Sequence, residues 1–173
     1  MKILLLFTTL IILSVTKLIA QNLFFIGDKS YPCTEIFKLK SNSDFNGYDL
    51  DVLIAKNGEI GMLVLSTQSM TGVLIRGQVI VYLDDGTVIS CIDRSKYDYV
   101  DNKATSVYFL TKGEIGKLMN SNIQNIRFTL KCRSEYASSS EEGDYSASNK
   151  SNGYELYSKE RSDVPELIKE LFK

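Results

Sequence analysis

Between Val81 and Asn102 the chain reads VYLDDGTVISCIDRSKYDYVDN, with five aspartates, one cysteine and three tyrosines in twenty-two residues. Asp93, Asp98, Asp101 and Asn102 are the residues here whose type and spacing come closest to a metal site. Oxygen ligands on an exported loop would suit calcium. The stretch lacks the glycine and glutamate spacing of an EF-hand, and Lys96 and Lys103 interleave positive charge. The competing reading is a β-hairpin with a polar continuation. Asp85-Gly86 sits between two β-branched runs, where aspartate tolerates the left-handed region and glycine meets no clash. That reading is preferred, with Asp84 and Asp85 expected to face solvent at the turn, and no metal is expected.

Other chemistry is narrowed by what the sequence lacks. There is no histidine, so Ser-His-Asp and Cys-His catalysis and His-ligated zinc are excluded. Cys33, Cys91 and Cys132 are too widely spaced for a Cys₄ zinc site. Neither a GxGxxG nor a Walker-type loop appears, so no cofactor is expected. Paired carboxylates could support glycoside hydrolysis, but without tryptophan there is no indole platform for a sugar. In an exported chain a disulfide is possible, and Cys91–Cys132 is the expected pair because each lies near the end of a strand. Cys33 would then be free. Asn149-Lys150-Ser151 matches the N-glycosylation pattern, which matters only in a glycosylating host.

The start of the chain indicates its destination. Lys2 precedes an apolar run from Ile3 to Val15, a length typical of a signal-peptide core and short of the roughly 20 residues a spanning helix needs. Residues 1–20 are expected to be removed, leaving Gln21 first and no stable membrane span. The mature part carries 18 basic and 21 acidic residues, a net charge of −3. So weak a charge gives no electrostatic footprint for nucleic acid.

Residues 21–173 then read as one mainly β domain. Short β-branched and aromatic runs cover 34–40, 48–55, 59–66, 73–83, 87–93 and 106–110. Asn57-Gly58 is expected to form a type I′ turn, and Gly77 to mark a bulge. Thr111 and Glu114 form a capping box that opens a short helix over 111–120. In IQNIRFTLKC (123–132), Ile126, Phe128, Leu130 and Cys132 alternate with polar residues, as in a half-buried strand. The polar stretch 137–153 is expected to be a flexible surface loop, and 154–160 a last strand. Asp163 caps, and Pro165 opens, an amphipathic C-terminal helix bearing Val164, Leu167, Ile168, Leu171 and Phe172.

The stretch from Leu83 to Lys131, with its DDGT turn, its VDN loop and YFLTKGEIGKL running into NIQNIRFTL, resembles small exported bacterial proteins of unknown function. The resemblance covers about 50 of the 173 residues, and its motifs are turns and caps. It implies export and a mainly β fold, and brings no site residues with it.

The expected architecture is an antiparallel sandwich or partly closed barrel of about seven or eight strands with two short helices. The expected role is a non-enzymatic periplasmic or secreted binding or interaction module, with an unidentified protein or small-molecule partner. A carboxylate-dependent hydrolase lacking histidine and a hydrophobic-ligand carrier are the alternatives.

Overall fold

The computed structural model describes residues 21–43, 47–134, 138–150 and 161–173. The expected signal segment and the expected strand at 154–160 lie outside the described residues. Within them the chain runs β1 (Asn22–Ile26), β2 (Lys29–Cys33), β3 (Phe37–Ser41), β4 (Leu50–Asn57), β5 (Ile60–Gln68), β6 (Val73–Leu83), β7 (Val88–Cys91), β8 (Tyr97–Val100) and β9 (Lys103–Leu110). Helix α1 (Lys112–Asn120), β10 (Ile123–Cys132), β11 (Gly143–Ser148) and helix α2 (Val164–Leu171) complete it. The fold is mainly β and every strand pairing is antiparallel.

One sheet runs in the order β7-β6-β10-β11-β3-β4-β5-β9-β8, with the β1–β2 hairpin attached through β4. It is not closed, and it folds over so that its two halves share a core. Leu39, Val52 and Leu65 from one half meet Ile75, Val81 and Phe128 from the other. Two bonds from β9 reach β6: the Ser106 hydroxyl donates to the Ile75 carbonyl at 2.6 Å and the Tyr108 hydroxyl to that of Gly77 at 3.2 Å. The halves join where β11 meets β3, over only two paired positions. Phe128 is wholly buried, and its truncation to alanine would cost roughly 3–5 kcal/mol.

The outer face of β4, β5 and β9 is covered as well. Cys33, Ala55, Met62, Val64 and Val107 form a second cluster, against which Phe24 and Tyr31 of the β1–β2 hairpin pack. Strand β5 is therefore buried on both sides from Gly61 to Thr67. This explains why GMLVLST lacks alternation: a strand with two apolar faces needs none. Gly61 also lets α1 approach, since a Cβ there would lie 2.3 Å from Cδ1 of Ile115.

The helix ends follow their caps. The Thr111 side chain accepts the Glu114 amide, and Glu114 accepts the Thr111 amide at 2.7 Å, an arrangement worth about 1 kcal/mol. Asp163 accepts the Glu166 amide at the start of α2. Val164 and Ile168 are buried in the main core, with Leu167 and Leu171 packed beside them.

Several local expectations are corrected. Asn57 is the last residue of β4, and the turn is Gly58-Glu59 with a positive φ only at Gly58, the pattern of type II′ rather than I′. Part of the polar stretch 137–153 is ordered: Gly143–Ser148 form β11 between β10 and β3. Its polarity is tolerated because only Tyr145 and Ala147 pack on the core. Strands β1, β2 and β8 also extend the seven or eight read from the sequence. Asp84 is exposed at the turn as expected, and it also accepts from the Arg161 guanidinium at 2.7 Å.

Candidate binding edge and groove

An open sheet has edges, and their chemistry differs here. Strand β8 pairs only with β9. Their connection is Asp101-Asn102, with φ of 52° and 60°, a type I′ turn that asks for two residues tolerant of the left-handed region. Val100 and Lys103 close that turn as a bonded pair, so by alternation Tyr97 and Tyr99 direct their amides outwards. Asp98 bends back to accept the Tyr99 amide at 2.8 Å. The Tyr99 hydroxyl donates to the Ser69 carbonyl at 2.7 Å. The β8 edge is thus partly closed by its own side chains, a common protection against stray pairing.

Strand β1 has no such protection. It pairs only with β2 through the two-residue turn Gly27-Asp28, with a positive φ at Gly27. Ile26 and Lys29 flank that turn as a bonded pair, which places the amides and carbonyls of Leu23 and Phe25 on the free edge. Among the described residues none of these four groups finds a hydrogen-bond partner. Their side chains face solvent too, Leu23 at 50% and Phe25 at 62% exposure. Sequence reading missed this edge. Its signal was present as NLFFI followed by Gly-Asp, a hairpin start directly after the expected cleavage point.

Beside this edge lies a groove of about 570 Å³ lined by β1, β8 and β9. Phe24, Ile26, Tyr97, Val100 and Val107 supply apolar surface. The polar lining is mixed. Lys103 is already engaged by Asp51 at 2.7 Å, and the Thr105 hydroxyl by Ser66 at 2.9 Å. Lys96 forms no ion pair among the described residues, so it and Asp98 offer one charge of each sign.

The aspartates read from the sequence as calcium candidates serve the backbone instead. Asp93 accepts the Gly77 amide at 2.7 Å and the Ser95 amide at 2.6 Å. The first is an amide freed by the β6 bulge, where the register slips opposite Arg127–Thr129 and Gly77 takes φ +81°. Asp98 caps β8, and Asp101 and Asn102 form its turn. Among the described residues no three His, Cys, Asp or Glu side chains gather as a metal would require.

The expected Cys91–Cys132 bridge is also corrected: all three cysteines are free. Cys91 pairs with Val79 and Cys132 with Val73, on opposite sides of β6 and six residues apart along it. That separation is on the order of 20 Å, far beyond the roughly 7 Å limit between bridged Cα atoms. Burial, with a smaller contribution from the Glu114 charge, pushes the Cys91 thiol up to about 12. Asn149 is 5% exposed and its amide donates to Asn122 and to the Ser162 carbonyl, so glycosylation there would require the folded chain to open.

A second, polar recess of about 450 Å³ carries two carboxylates, Asp93 and Glu142, near Arg76 and Lys131. Hydrolysis by paired carboxylates needs one held protonated. Glu142 accepts the Cys132 amide at 2.7 Å. That bond outweighs desolvation and holds its carboxyl below the usual range. Asp93 is occupied by two amides. Both carboxylates of the recess are therefore engaged as acceptors of backbone amides.

No family model, no curated protein and no solved structure matches the chain.

Proposed function

We propose that the protein is an exported, non-enzymatic binding module that takes an extended polypeptide by strand addition along β1. The observation that carries this reading is the open edge itself, where the outward backbone groups of Leu23 and Phe25 lie beside an apolar groove. Strand addition draws affinity from main-chain hydrogen bonds and specificity from alternate side chains. The groove offers apolar surface for such side chains, and Lys96 and Asp98 provide one contact of each sign. The hydrolase alternative is disfavoured because both carboxylates of the polar recess are engaged by backbone amides. The carrier alternative is disfavoured because Leu65, Val81, Tyr108 and Phe128 fill the space between the half-sheets.

The test is selection of binding peptides from a random library on the exported protein. Selected peptides should alternate apolar residues, and Phe25→Asp should abolish their binding while leaving the fold intact. Selected peptides that bind equally well to the Phe25→Asp variant would contradict the reading. Export itself predicts that sequencing of the exported protein begins at or close to Gln21, and an intact Met1 start would contradict it.

A further inference from the structure

Resting on the strand-addition reading, we infer that the polypeptide which completes the β1 edge is a second copy of this chain, paired antiparallel about a two-fold axis at Phe24. The register follows from the edge. Leu23 and Phe25 are the two positions whose backbone groups point outwards, and they are equidistant from Phe24. Antiparallel pairing of β1 with itself sets Leu23 opposite the partner's Phe25 and Phe25 opposite the partner's Leu23. Both become bonded pairs, and each exchanges two hydrogen bonds. The same surface serves both copies, as a two-fold interface requires.

The side chains agree with this register. Leu23 and Phe25 share the outer face of β1, so the pairing brings two leucine–phenylalanine contacts together across the seam and covers apolar surface that is otherwise exposed. Strand β1 carries no charge from Asn22 to Ile26, so nothing in it repels a second copy. The other edges are less suited. In β8 the Tyr99 amide is taken by Asp98. Strand β7 has four residues, and its exposed side chains in the sheet are Val88 and Ser90. A five-residue seam falls below the roughly 1,200 Å² of stable interfaces, so the dimer forms reversibly and depends on concentration.

Sedimentation velocity on the exported protein across a wide concentration range tests the inference through its register. Wild type should move from monomer to dimer. Replacing both positions by lysine (L23K/F25K) sets like charges opposite one another and should weaken association by about tenfold or more. The L23K/F25E variant sets Lys opposite Glu in both pairs and should associate within about threefold of wild type. Both positions are exposed, and circular dichroism verifies that each variant is folded. Wild type that stays monomeric throughout, or a dimer equally strong in L23K/F25K, overturns the inference. If wild type is monomeric yet still binds selected peptides, and L23K/F25K loses them, the second copy is excluded while strand addition stands. If neither association nor peptide binding depends on these residues, both readings fail.

Discussion

Asp98 accepts the amide of its neighbour Tyr99 at 2.8 Å, so a residue that reads as a possible metal ligand closes the edge of β8. The same holds one turn later. Asp101 and Asn102, at φ 52° and 60°, are present because a type I′ turn tolerates few other residues.

The turn makes the first prediction. Asp101→Asn should leave stability unchanged within about 0.5 kcal/mol. Asp101→Val, which forces a β-branched residue into the left-handed region, should cost about 1–2 kcal/mol. Urea denaturation measures both. Added calcium should not raise the melting temperature. A calcium-dependent rise abolished in an Asp98→Asn/Asp101→Asn double variant would restore the metal reading.

The thiols make the second. Non-reducing peptide mapping should find Cys33, Cys91 and Cys132 unbridged. Alkylation at pH 8 should be fastest at half-exposed Cys132, while Cys91, buried and with its thiol pushed up to about 12, should resist until the protein unfolds. Recovery of a Cys91–Cys132 peptide would mean that β7 and β10 are not separated by β6.

Much of this architecture was legible in the sequence because local chemistry decided it. The Thr111–Glu114 box, the Asp163 cap, the Gly77 bulge and the alternation of β10 all follow from residues within a few positions of each other. What was illegible depends on partners distant along the chain. Cys91 and Cys132 both lie beside β6, and no local pattern says that they do so on opposite sides and at different heights. Strand β11 was hidden because Gly143–Ser148 carries a single aliphatic core residue, Ala147. The β1 edge was hidden because which edge of NLFFI stays open depends on its pairing with β2 alone, and Leu23 and Phe25 face solvent.

A third prediction concerns acid. Burial tends to raise the Glu141 carboxyl, but the hydroxyls of Thr71, Ser69 and Tyr48 and the Thr71 amide outweigh it and hold the group below its ordinary value near 4.5. A carboxyl depressed on folding contributes stability that is present above the unfolded value and lost as pH falls through the folded one. Wild type should therefore melt higher than Glu141→Gln at neutral pH, and the gap should narrow as pH falls below about 4.5. A gap that is constant with pH would show that the carboxylate charge is not what ties this segment to Ser69 and Thr71.

Amide hydrogen exchange at β1 separates an open edge from a paired one. In dilute protein the Leu23 and Phe25 amides should exchange rapidly, while that of Phe24, whose residue is paired with Tyr31, should be protected. At high concentration, or with a selected peptide, Leu23 and Phe25 should slow by about tenfold or more, and Tyr99 should not change. Protection of Leu23 and Phe25 in the dilute monomer, or association that protects β7 and leaves β1 exchanging freely, would contradict the account.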